Sequence, residues 1–185
     1  MKTEHPLTET AMPRIPPLPL EQIPADLSAA IAHARATGVL SSTVPVQVWA
    51  HRPQVALGWL SALQAFYSDG CLSERLRELV RLKIASITSC QACQIARKSD
   101  TVTEDDLACL SWDDTRFDPT EQAAMRYAEL FASDYFSIDD AIFDQLRSVF
   151  STEEIVELNM FVALMLAGGR MTYVQRAYET EPPSD

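Results

Sequence analysis

Apolar residues recur along this chain at three- and four-residue steps, and no stretch alternates in the way a half-buried strand requires, so the pattern predicts an all-helical protein. The stretch from Cys71 to Arg97 shows it best. Leu76, Leu79, Val80, Ile84 and Ile87 put one apolar face on a charged helix running from about Ser73 to Ile87, with Ser73 as its cap. Thr88 and Ser89 then break the pattern, and Ser89 is expected to cap a second helix carrying Cys90 and Cys93 in its first turns. Upstream, an alanine-rich helix from Ala25 to Thr37 stops at Gly38, and a short helix starts near Pro45. A longer one runs from Pro53 to about Tyr67 with Val55, Trp59, Leu63 and Phe66 as its buried stripe.

Downstream, helix starts are read at Thr103-Glu-Asp-Asp106, Asp118-Pro-Thr-Glu121, Ser137-Ile-Asp-Asp140 and Ser151-Thr-Glu-Glu154. The last of these opens the longest helix, which is apolar on nearly every side from Leu158 to Ala167. Such a helix suits the centre of a bundle or a subunit contact. Gly168 and Gly169 within it point to close approach or a kink, and a buried Asn159 there needs a hydrogen-bond partner.

Composition narrows the class. A chain of 185 residues with 47% hydrophobic content suits a single all-helical domain over residues 21–180, preceded by a Pro-rich extended arm over residues 1–20. That arm reads either as a strap on a neighbouring subunit or as a loose tail ending in an ordered Ile15-Pro-Pro-Leu-Pro-Leu segment. A net charge of −11 and a pI near 4.6 argue against nucleic acid and against anionic membrane surfaces. The longest apolar run, Met160 to Gly169, is shorter than the roughly 20 residues that span a bilayer, and no basic-then-apolar secretion signal opens the chain, so a cytoplasmic protein is expected.

The chemistry lies in Cys90-Gln-Ala-Cys93. The thiolate is the nucleophile, and a helix start lowers a cysteine pKa, so a redox dithiol is sensible there. Helix physics alone favours Cys90 as the more exposed and activated thiol. Zinc would need two further soft ligands, and neither Cys71 nor Cys109 belongs to a second such pair; both read as buried small hydrophobes. Trp49 and Trp112 read as core aromatics before pocket residues.

Glu78, twelve residues before Cys90, together with Ser-Glu-Arg-Leu-Arg-Glu-Leu-Val-Arg-Leu-Lys-Ile-Ala-Ser, resembles the alkylhydroperoxidase D-like branch of the carboxymuconolactone decarboxylase superfamily. The likeness covers most of residues 15–178, and only Glu78 to Cys93 is specific. It implies an all-α, compact multi-helix fold that assembles as a dimer, trimer or hexamer. It also implies a thiol peroxidase that reduces small hydroperoxides without metal, haem or other cofactor and is recharged by a protein dithiol or lipoyl protein. By resemblance, Cys93 attacks the peroxide, Cys90 resolves the sulfenic acid as a disulfide, and Glu78 belongs to a proton relay. Read from the residues alone, Glu78 is equally a surface ion-pair member between Arg75 and Arg81.

The chain departs from the resemblance four positions after Cys93, where the peroxidases carry histidine and this sequence has Arg97. Arginine can hold a thiolate electrostatically but accepts no proton. Of His5, His33 and His51, only His51 is considered as a substitute. Ala92 stands where relatives often carry an aromatic residue or histidine. Two alternatives stay open: a carboxymuconolactone decarboxylase-type lyase, which leaves the cysteine pair unexplained, and a non-enzymatic redox-responsive oligomer, which Arg97 favours.

Overall fold

The computed structural model describes residues 12–90, 93–94 and 96–178, so the expectations for His5, Pro6 and Ala92 lie outside the described residues. Among the described residues every regular element is helical: 3-10 turns at Leu20–Gln22 and Tyr135–Ser137, and eight α-helices. These are α1 (Ala25–Ala36), α2 (Val44–Trp49), α3 (Pro53–Ser68), α4 (Glu74–Ile87), α5 (Glu104–Ala108), α6 (Pro119–Ser133), α7 (Asp140–Val149) and α8 (Thr152–Gln175). The chain divides into two compact units, Met1–Leu60 with Thr172–Asp185, and Ser61–Met171.

In the first unit, residues 13–19, four of them proline, run without regular structure into the 3-10 turn and are bonded to their own chain. Leu18 N–H donates to the Gln47 carbonyl at 3.1 Å, and Arg14 N–H to the Gln175 carbonyl at 2.9 Å. Helix α1 ends as expected at Gly38, whose φ of +76° is a left-handed value that glycine adopts without strain. Of the stripe expected on α3, Phe66 packs against the core and Trp59 and Leu63 are partly buried, whereas Val55 is exposed and Ala56 and Leu60 are the buried residues nearer the helix start.

The second unit is built around α4. Leu76, Val80 and Ile84 join a cluster with Ala124, Tyr127 and Ala128 of α6, Ile142 and Leu146 of α7, and Leu158, Phe161 and Val162 of α8. Leu79 and Leu82 face a second cluster formed with Val102, Phe117 and Met125. Helix α4 packs along α6, which in turn packs on α7. With apolar neighbours on both sides, α4 is not the one-faced surface helix that its charges suggest: Glu78, Arg81 and Lys83 are buried as well.

The caps follow the sequence closely. Ser73 Oγ accepts from Leu76 N–H, and reciprocal capping boxes open α5 (Thr103 with Asp106) and α6 (Asp118 with Glu121). Ser151 and Glu154 exchange the same pair of bonds before α8. Helix α7 departs from expectation: its cap is Asp139, which accepts from Ile142 N–H, while Ser137 closes the preceding 3-10 turn. Asn159 Nδ2 donates to the Tyr127 hydroxyl at 2.5 Å. A Cβ added at Gly169 would lie 3.0 Å from Thr88 Oγ1, so this glycine permits a close approach. Helix α8 as a whole is long and apolar enough to cross a membrane by length and composition, a test that buried core helices also pass, and its Leu158, Phe161 and Val162 sit in the core.

Candidate active site

Helix α4 ends at Ile87, and the chain turns through Ser89 at φ +53°, a left-handed conformation rather than the extended backbone of an N-cap. The turn folds Cys90 back on the helix it has just left. Its N–H donates to the Ala85 carbonyl at 3.1 Å, and Gln94 N–H then donates to the Cys90 carbonyl at 3.0 Å, a helical bond.

Cys90 and Cys93 are joined as a disulfide, with their Cα atoms 5.2 Å apart. Cys90 is fully buried and Cys93 is partly exposed. The helix-start expectation that Cys90 is the more accessible thiol is thereby corrected: the reversal of the chain at Ser89 turns it inward.

Glu78 lies two and a half turns before the end of α4, with only 1% of its side chain exposed. Arg81 Nε donates to Glu78 Oε2 and Arg81 Nη2 to Glu78 Oε1, each at 2.7 Å. The third arm of the same guanidinium, Nη1, donates to the Cys93 carbonyl at 2.5 Å. Lys98 N–H adds a bond to Glu78 Oε1 at 3.0 Å. The surface ion-pair reading of Glu78 therefore has the right partner, Arg81, in the wrong setting, since both are buried.

Arg97 also faces this carboxylate, its Nε 3.6 Å from Glu78 Oε1: within ion-pair range but too far for a hydrogen bond. Its other nitrogens bind Glu104 Oε1 at 2.9 Å and the Val102 carbonyl. Arg81 thus links Glu78 to the main chain of the Cys90–Cys93 pair, and Arg97 faces the same carboxylate. His51 belongs to the other unit, where it is exposed and its Nε2–H donates to the Pro16 carbonyl at 2.9 Å. Trp112 is partly buried against the Leu79 cluster and carries the Arg126 guanidinium over its ring at 4.8 Å, as a core aromatic would.

Three cations of α4, of which sequence reasoning read Arg75 and Arg81 only as neighbours of Glu78 and did not single out Lys83, tie the segment from Cys93 onward to the helix. Arg75 binds Asp106 and the Thr101 carbonyl, Arg81 the Cys93 carbonyl, and Lys83 the Leu110 carbonyl at 2.8 Å. Each has a main-chain carbonyl among its partners, and Arg75 and Lys83 also pair with carboxylates distant in sequence, Asp106, Glu121 and Glu129, so nothing local in the sequence marks these bonds.

Against solved structures, the chain matches an alkylhydroperoxidase D core protein from Ralstonia eutropha JMP134, described as an uncharacterized peroxidase-related protein. The TM-score is 0.74 at 18% identity, over 92% of this chain and 94% of that one. The fold is that of the alkylhydroperoxidase D core. The debrominase Bmp8 shares it: its apo form matches with a TM-score of 0.71 at 15% identity, over 86% of this chain and 88% of that one. A cysteine-to-alanine Bmp8 variant in complex with 2,3,4-tribromopyrrole matches with a TM-score of 0.74 at 15% identity, covering 90% and 91%. No family model and no curated protein matches the sequence.

The other two cysteines lie outside this constellation and are not buried as expected: Cys71 is exposed and Cys109 partly exposed. Cys71 Sγ donates to Glu157 Oε2 at 2.9 Å, and Glu157 also accepts from the Cys71 and Leu72 amides. The thiol lines a groove of about 700 Å³ with Phe66, Val156, Met160 and Leu164, and neither Cys90 nor Cys93 contributes to it.

Proposed function

We propose that the protein is a thiol-dependent peroxidase that reduces small hydroperoxides through Cys93 and Cys90. One observation carries this reading: two cysteines on the alkylhydroperoxidase D core close a disulfide in which one sulfur-bearing residue is partly exposed and the other buried. The Cys93 thiolate attacks the terminal peroxide oxygen, the O–O bond breaks, and the alcohol leaves with a proton from solvent, giving a sulfenic acid. Cys90 sulfur then attacks the Cys93 sulfur and water departs. A dithiol reductant, either a small protein or a lipoyl group, returns two electrons and two protons.

Glu78 and Arg97 set the charge around this pair. Both Glu78 oxygens already accept hydrogen bonds, and Arg97 accepts no proton, so the thiol proton passes to solvent here. We place the enzyme in the cytoplasm as a homo-oligomer, the latter because Val156 and Met160 are 54% and 60% exposed on the α8 face of the groove.

The test is turnover: hydroperoxide consumption driven by dithiothreitol or a reduced lipoyl protein, in wild type, Cys93→Ser and Cys90→Ser. Turnover that vanishes in both variants supports the reading, and turnover that survives both overturns it. The likeness to Bmp8 favours one second reading, reductive removal of halide from an aryl halide. In that reaction the dithiol supplies two electrons and two protons, leaving a disulfide and hydrogen halide. Halide release from a brominated pyrrole without peroxide consumption would decide for it.

A further inference from the structure

Both ends of the Cys90–Cys93 pair are held on α4. The Cys90 end is fixed by its N–H bond to Ala85 and by complete burial. The Cys93 end is fixed by Arg81 Nη1 on its carbonyl. Arg81 can do this because its other two arms are committed to Glu78, which leaves the guanidinium, 7% exposed, in one orientation.

We infer that Arg81 is a positioning residue that sets the redox poise of the disulfide, and that Glu78 acts through Arg81 as its anchor rather than as a base. The inference rests on the dithiol-disulfide reading above. Whether two thiols join is governed by their effective concentration, which rises when both main chains are fixed where the sulfurs meet. Gln94 Nε2 reaches the Ala85 carbonyl at 3.2 Å and secures the residue after Cys93, but Arg81 alone grips the Cys93 carbonyl among the bonds described. Releasing that carbonyl lets the Cys93 sulfur move away from Cys90 once the bond is reduced. Reclosure becomes less favourable, and the equilibrium moves toward the dithiol.

A charge-assisted hydrogen bond is worth roughly tenfold or more in such an equilibrium. The exchange constant with dithiothreitol measures this directly: the protein disulfide takes two electrons and two protons while dithiothreitol closes its own cyclic disulfide. Wild type, Arg81→Met, Arg81→Lys, Glu78→Gln and the Glu78→Gln/Arg81→Met double variant are equilibrated in graded dithiothreitol buffers. Free thiols are trapped and assigned by mass spectrometry, with folding checked by circular dichroism.

Arg81→Met is expected to shift the constant about tenfold toward the dithiol, near 30 mV for a two-electron couple. Arg81→Lys, which keeps a cation beside Glu78 but cannot reach both partners, is expected to shift it at least threefold. Glu78→Gln should move it in the same direction, and the double variant no further than Arg81→Met alone. A folded Arg81→Lys or Arg81→Met protein within twofold of wild type overturns the inference, as does a double variant whose shift is the sum of the two. Hydroperoxide plays no part in this measurement, so a failure to turn over peroxide leaves its outcome intact. Unshifted variants leave the peroxidase reading intact.

Discussion

Arg97 Nε stands 3.6 Å from Glu78 Oε1, so a guanidinium faces the carboxylate from the sequence position where the resembling peroxidases carry an imidazole. Among the described residues Glu78 is thereby held between two arginines and an amide, none of which accepts a proton.

Replacing Arg97 by histidine restores a group that can take the proton and also removes one cation from Glu78. Peroxidase turnover in Arg97→His is expected to rise at least tenfold near neutral pH, the lower range for a well-placed general base. The fold should tolerate the change, because the partner lost on the other side, Glu104, is 87% exposed and such pairs contribute little. Initial rates against hydroperoxide concentration check this, and an unchanged or lower rate would count against it.

Cys71 is exposed yet should react slowly. Its hydrogen bond to the Glu157 carboxylate, with partial burial and the charge of Glu157 adding to it, pushes the thiol up to about 11. At neutral pH the thiolate fraction is correspondingly small. Iodoacetamide labelling of Cys71 at pH 7.5 is expected to quicken at least tenfold in Glu157→Gln, and peptide mapping reads it directly. Equal labelling in the two proteins would show that the bond does not govern reactivity.

Acid should loosen the segment that follows the disulfide. Arg75 holds Asp106 down at about 2, aided by the Thr103 amide and hydroxyl against the opposing effect of burial. A folded-state pKa below the unfolded value of 3.8 stabilises the protein above pH 3.8, and that contribution disappears as the pH falls toward 2. Asp106→Asn is therefore expected to cost on the order of 1–2 kcal/mol at pH 6 and almost nothing at pH 2. Urea unfolding across that range measures the difference, and a penalty independent of pH would contradict the assignment.

Much of this fold was legible because helix starts have local chemistry. Ser73, Thr103, Asp118 and Ser151 each satisfy amides within three residues of themselves, so the sequence holds both partners of the bond. The positions misread depend on distant partners. Arg81 and Lys83 look like the wet side of a helix until the chain returns to cover them, and Cys71 looks like a small core residue until Glu157 arrives from α8. The turn at Ser89 gave no glycine signal, so the inward rotation of Cys90 was missed. The cysteine pair was legible from its spacing, Glu78 was found through resemblance, and their electrostatic setting emerged only from packing.

The most direct test counts thiols. The fully reduced chain carries four, Cys71, Cys90, Cys93 and Cys109. One equivalent of hydroperoxide should remove two of them in wild type, with mass spectrometry assigning the new bond to Cys90 and Cys93. In Cys90→Ser a sulfenic acid should remain on Cys93, and in Cys93→Ser no thiol should be lost at a comparable rate. A wild-type chain that keeps all four thiols, or a Cys93→Ser chain that oxidises as fast as wild type, would contradict the claim that Cys93 attacks and Cys90 resolves.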